Sequence, residues 1–161
     1  MNTYLKREYD YAIRITAFLS GHYPDSYFTI KDISDLLFIS KPFASRIINT
    51  LIQKGILGSI QGRNGGIYLK RDPVTISILD VLLAMEMDST LNECVRDPGI
   101  CPHVSYCKIH KYFQGLERML IQSFASTNIS QFAFTKEDLA TDPDRLKLSL
   151  KPELRGQLDH A

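Results

Sequence analysis

The chain has 161 residues, 44% of them hydrophobic and 23% charged, with a formal net charge of +1 and three cysteines. That apolar share is ample for a core, and the length suits one compact domain or a small head with a dimerisation arm. Lys6, Arg7, Glu8 and Asp10 interrupt the N-terminus and no apolar run reaches spanning length, so neither a secretory leader nor a membrane span is expected.

These features place the chain in the cytoplasm, where thiols stay reduced, and an odd cysteine count argues against a disulfide framework. The charge is unevenly spread. Residues 1–75 carry ten Lys/Arg against six Asp/Glu, or +4, whereas residues 76–161 carry nine against twelve, or −3. A basic front half suits a head that approaches phosphate, and an acidic rear half suits a body that does not.

Tyr11, Ile13, Ile15, Phe18 and Leu19 fall at mostly helical spacing, which predicts a first helix over residues 9–20, stopped by Gly21 and Pro24. Thr29-Ile30-Lys31-Asp32 reads as a capping box with Asp in the usual Glu place, opening a second helix with Ile33, Leu36 and Leu37. After a break at Phe38-Ile39, Ser40 is an expected N-cap. Pro42 in the next first turn costs no hydrogen bond, and the third helix runs to Lys54 with Gly55 as its stop. Ile56–Ile60 and Ile67–Leu69 are then strand-like runs around Gln61-Gly62-Arg63-Asn64-Gly65-Gly66, a turn of residues that tolerate positive φ. Pro73 ends this unit.

Ser77 and Asp80 open a further helix with Ile78, Val81, Leu82 and Met85 on one face. From about His110 to Ser126 a long helix presents a narrow stripe of Tyr112, Phe113, Leu116, Met119, Leu120 and Phe124. That seam needs a partner, and a second copy is favoured over the chain's own head. The fold expected is mainly α with a small β-hairpin: a winged helix-turn-helix head over 1–75, a cysteine loop and dimerisation helix over 76–134, and a flexible polar tail over 135–161.

The second helix of a helix-turn-helix enters the major groove through its N-terminal part. Phe43, Ile47, Ile48, Leu51 and Ile52 form its expected buried face. The opposite face offers Lys41, Ser45, Arg46, Asn49 and Gln53, with Arg46 the foremost candidate for a guanine edge. At the wing tip Arg63 beside Asn64 suits minor-groove or phosphate contact. Any surface helix displays polar residues, so Lys41, Arg46 and Arg63 rank ahead of the others.

All three cysteines lie within fourteen residues, as Cys94-x6-Cys101-x5-Cys107, and His110 follows three places later. Three thiolates plus one nitrogen or oxygen make a full four-coordinate set, and thiolates select zinc, copper(I) or iron–sulfur clusters. Pro98, Gly99 and Pro102 put the donors on a loop, to be gathered by the metal rather than by a helix. A structural zinc of Cys3His type satisfies the same spacing. A thiol enzyme would draft His103 or His110 as base, but no phosphate loop, nucleophile elbow or carboxylate pair accompanies them.

Four segments together resemble the Rrf2 family of bacterial winged-helix regulators: Asp10-Tyr11-Ala12-Ile13-Arg14, Ile39-Ser40, Gly62-Arg63-Asn64-Gly65-Gly66-Ile67-Tyr68-Leu69 and the three-cysteine loop. The similarity covers roughly residues 1–126. It implies a homodimer on a partly palindromic double-stranded operator, with Cys94, Cys101 and Cys107 holding a 2Fe–2S or 4Fe–4S cluster that senses nitric oxide, redox state or iron supply. One branch of the family takes its fourth ligand from a histidine three residues after the last cysteine, which here is His110. Another takes a carboxylate just before the Tyr-Ala of the first helix, donated by the other subunit, which here is Asp10. Both are present, and the Asp10-Tyr11-Ala12 match inclines the reading towards Asp10. Gln61 stands where many members place an arginine, with Arg63 two places later, so the wing contacts are expected to differ.

Overall fold

The computed structural model describes residues 5–62, 65–88 and 90–141. Helix α1 (Arg7–Ser20) lies at the centre, burying Ala12, Ile15, Phe18 and Leu19. Thr16 is tolerated inside because its hydroxyl donates to the Ala12 carbonyl at 2.7 Å. Helix α2 (Ile30–Leu37) starts on the expected capping box: Thr29 accepts from the Asp32 N–H, and Asp32 accepts from the Thr29 N–H at 3.0 Å. It ends at Phe38, which adopts φ 54, and the Ile39 N–H returns to the Ser34 carbonyl at 3.0 Å. A left-handed residue other than glycine costs about 1–2 kcal/mol, and the apolar contacts of the turn offset it.

Helix α3 (Lys41–Gln53) follows with Pro42 in its first turn. Ser40 holds the N-cap position through its backbone alone, since its side chain makes no capping bond. The buried face of α3 is Ala44, Ile47, Ile48 and Leu51, with Phe43 and Ile52 at its half-buried edges. Strands β1 (Leu57–Ile60) and β2 (Gly66–Leu69) pair antiparallel, Leu57 opposite Leu69 and Ile60 opposite Gly66. Phe28 adds a bridge to Ile67, which ties the wing to the entrance of α2.

Helix α4 (Ile78–Ala84) opens on a second capping box, Ser77 with Asp80. Helix α5 (Glu93–Arg96) and a 3-10 turn (Pro98–Ile100) lead to α6 (Lys108–Ser126). The chain then returns to the head. The Ile78 N–H donates to the Thr127 carbonyl at 2.9 Å, and the Ile129 N–H donates to the Ile76 carbonyl at 2.8 Å. Ile129, on a 3-10 turn (Ile129–Phe132), is fully buried against α1. Head and body therefore share one apolar core.

Instead of a tail from residue 135, the chain forms a short helix α7 (Lys136–Thr141). Thr135 and Asp138 cap it reciprocally, and Lys136 Nζ sits 4.5 Å from the centre of the Phe28 ring. Phe134 packs on Phe18, and Gly21 permits the crossing: a Cβ there would lie 2.2 Å from the Phe134 carbonyl oxygen. The rest of the expected tail, 142–161, lies outside the described residues. No helix among those described is long and apolar enough to cross a membrane.

Candidate nucleic-acid interface and metal centre

The geometry of α3 separates its apolar and polar residues cleanly. With Ala44, Ile47, Ile48 and Leu51 turned inward, Lys41, Arg46, Asn49 and Gln53 are exposed and Ser45 is half-exposed. Arg46 is held in a way its sequence neighbours do not reveal. Its Nη2 lies 3.5 Å from Glu8 Oε2, and its guanidinium carbon lies 5.2 Å from the Phe43 ring centre. Phe43 meets Tyr11 of α1 edge to face at 5.7 Å. Glu8 was invisible to sequence reasoning because it stands 38 residues from Arg46.

Lys31, on the neighbouring α2, pairs with Asp35 at 2.8 Å. The bond to the Asp35 carboxylate holds the Lys31 ammonium above its ordinary pKa. The wing candidates Arg63 and Asn64 lie outside the described residues. Their neighbours explain the glycines: Gly62 adopts φ 113, and a Cβ on Gly65 would lie 2.0 Å from the Ile60 carbonyl oxygen.

The cysteine segment is more ordered than a plain loop. Cys94 lies on α5, Cys101 closes the Pro98–Ile100 turn, and Cys107 is the N-cap of α6. All three thiols are free and half-exposed. Cys107 Sγ accepts the His110 N–H at 3.4 Å, so the sulfur sits at the N-terminus of a 19-residue helix. His110 itself is buried, and its Nδ1 has no hydrogen-bond partner among the described residues. Asp10 lies in the first turn of α1, its carboxylate 3.0 Å from Arg14 Nε and 45% exposed.

Among the described residues, no three of these donors come together as a metal-holding group within one chain. The donor chemistry nonetheless fits a thiolate-bound centre: three free, half-exposed sulfurs on one short segment, with Cys107 accepting a backbone N–H. His103 is engaged with the Tyr106 hydroxyl rather than with a thiol, which gives a thiol enzyme no base there.

A helix-turn-helix with a polar second helix, followed by a hairpin wing, defines a winged-helix DNA-binding protein. Residues 5–134 match the Rrf2 family, described as iron-dependent transcriptional regulators, and the chain belongs to that family. It is similar to the HTH-type transcriptional regulator NsrR of Bacillus licheniformis, 39% identical over 139 residues, which is 86% of this chain and 92% of that protein. NsrR of Geobacillus kaustophilus is 32% identical over 152 residues, covering 91% and 95% of the two chains. Among solved structures, T. potens IscR has a TM-score of 0.64 at 17% identity, covering 78% of this chain and 82% of its own. CymR of B. subtilis, titled the global cysteine regulator, has a TM-score of 0.62 at 19% identity, covering 88% and 98%. These two support the winged-helix fold. The protein is a transcription regulator of the Rrf2 and NsrR type, not an enzyme.

Proposed function

We propose that this chain is a cytoplasmic, homodimeric regulator whose operator affinity is set by an iron–sulfur cluster bound at Cys94, Cys101 and Cys107. The observation that carries the reading is the position of the three free, half-exposed thiols on the segment that feeds directly into α6, with Cys107 as that helix's N-cap. Bound there, the cluster would supply thiolate-ligated iron, open to attack by nitric oxide or oxygen and to loss when iron is scarce.

Asp10 from the second copy is the fourth donor in this reading. Its carboxylate is exposed on the first turn of α1 and open to another chain, whereas His110 is buried within its own. The protein's part is mechanical. Holding Cys94, Cys101 and Cys107 together fixes the start of α6, which packs on α4, and α4 packs in turn on α1 and α3. Release of the thiolates lets the 94–107 segment relax and removes that constraint from the head, a two-state element biased by ligand.

In this reading the dimer contact runs along α6. Only His110 is buried along its length, while Ile109, Tyr112 and Met119 are 66%, 67% and 68% exposed along one stripe. A seam of about 28 Å at 1.5 Å per residue is long enough to pair with its copy. Two heads related by a two-fold axis would place two α3 helices in major grooves about one helical turn apart on a palindromic duplex. Lys41, Arg46 and Asn49 then face base edges and phosphates, with Ser45 beside them and Arg63 and Asn64 carried by the wing.

The test is an absorption spectrum with iron and sulfide analysis on protein purified without oxygen, beside the Cys94, Cys101, Cys107 triple alanine variant. Visible absorption with matched iron and sulfide, lost in the triple variant together with signal-dependent operator binding, is expected. A colourless protein carrying stoichiometric zinc would sink the cluster and leave the DNA binding. Asp10→Ala and His110→Ala decide the fourth ligand by which one changes the spectrum.

A further inference from the structure

We infer that Glu8 is a positioning residue for base recognition: its carboxylate holds the Arg46 guanidinium against the Phe43 ring and sets the direction in which α3 presents its strongest base-reading donor. The inference rests on the reading of α3 as the DNA-contacting helix and of Arg46 as its base reader. It concerns a contact between α1 and α3, outside the cysteine segment.

Arg46 is 65% exposed, and an exposed arginine on a helix face samples many rotamers that binding must freeze. Here two groups restrict it. Glu8 Oε2 reaches Nη2 at 3.5 Å from the first turn of α1, and the Phe43 ring lies 5.2 Å from the guanidinium carbon. Phe43 is itself fixed by Tyr11 at 5.7 Å. Of the two acids in that turn of α1, Glu8 is the one that meets the recognition helix, while Asp10 lies 3.0 Å from Arg14 of its own helix.

The pair leaves base reading possible. Nη2 carries two hydrogens, so a single contact to Glu8 keeps one two-pronged fork of the guanidinium available for the acceptors of a guanine edge. A negative charge beside a DNA-facing arginine lowers attraction for phosphate of any sequence. Its benefit is orientation: Glu8 trades general affinity for discrimination.

The test uses the full chain purified without oxygen and three kinds of duplex. The first is the duplex that the parent protein selects from a library randomised over about 20 base pairs, two half-sites one helical turn apart. The second is the set of its single-base variants, and the third is a scrambled duplex. Glu8→Gln is expected to lower the ratio of selected to scrambled affinity about two- to fivefold, the size of an exposed ion pair. The loss should concentrate at the base whose identity ceases to matter in Arg46→Ala. In the Arg46→Ala background, Glu8→Gln should leave the ratio unchanged.

An equal loss in both backgrounds would mean that Glu8 acts on discrimination independently of Arg46, and an unchanged ratio in the parent background would reduce it to a general field effect; either result overturns its positioning role. If Arg46→Ala itself keeps the base profile of the parent, the reading of Arg46 fails first and this inference fails with it. Glu8→Asp keeps the charge in the first turn of α1 but shortens the reach. It should lose discrimination while binding scrambled duplex as the parent does, and parental discrimination in that variant would also overturn the role. Thermal melts by circular dichroism identify any variant that has unfolded, and Glu8→Asp then stands in for Glu8→Gln.

Discussion

Ile129 helps fasten the body to the head, and its truncation reports whether the two form one cooperative unit. Its side chain is fully buried, its N–H donates to the Ile76 carbonyl at 2.8 Å, and the turn that carries it packs on α1. Ile129→Ala removes three carbons from this site. At about 0.8 kcal/mol for each buried methylene equivalent, the transfer contribution alone is about 2.4 kcal/mol. The backbone bonds on either side of Ile129 hinder collapse of the cavity, which raises the expected loss to about 3–4 kcal/mol. Ile129→Val, with one carbon removed, should cost about 1 kcal/mol. The assay is urea unfolding of the parent and both variants at one fixed protein concentration, since the stability of the proposed dimer would depend on it. Circular dichroism and tyrosine fluorescence serve as probes, because the chain has no tryptophan. With a slope of about 2 kcal/mol per molar, the midpoint of Ile129→Ala should fall by about 1.5–2 M with no change in slope. A loss below about 1 kcal/mol, or two separate transitions for the two probes, would refute the shared core.

Met119→Lys places a charge in the exposed stripe of α6 and should convert the proposed dimer to monomer in sedimentation equilibrium without melting the head, because Met119 is 68% exposed in the single chain. Gly21→Ala drives a Cβ into the Phe134 carbonyl and should lower the thermal midpoint of the chain, while alanine at Gly115, where a Cβ meets nothing within 4 Å, should raise it slightly. Asp32→Asn removes the carboxylate that accepts from the Thr29 N–H and hydroxyl and should weaken the α2 cap. The Thr29 hydroxyl bond, followed by its backbone N–H, holds the Asp32 carboxyl below its ordinary value of 3.8, and the Thr135 backbone N–H does the same for Asp138. Their stabilising contribution is therefore complete above about pH 3.8 and is lost as pH falls through the lowered folded-state values. Acid unfolding of Asp32→Asn should accordingly lose part of the parent's pH dependence below that point, and an unchanged acid limb would refute the assignment.

Much of the head was legible because local chemistry decides it. Thr29 with Asp32 and Ser77 with Asp80 form capping boxes within four residues, and each helix starts where those side chains meet their own backbone. The wing glycines answer constraints of one tight turn. Burial on α3 was less legible: a period of 3.6 identified the apolar face, yet it put Phe43 and Ile52 inside and overlooked Ala44. Only the close approach of neighbouring helices shows that a small residue lies at the centre of that face.

The sequence by itself determined the starts of α1 to α4 and α6 to within a few residues, the hairpin, and the clustering of three thiols, because each depends on residues adjacent in the chain. Tertiary structure alone decided that residues 127–141 return to the head and that Glu8 faces Arg46. Those contacts join residues up to more than a hundred positions apart, as Phe18 and Phe134 do. Spacing along a chain carries no signal for such pairs, since the path between them is set by how α1, α4 and α6 pack.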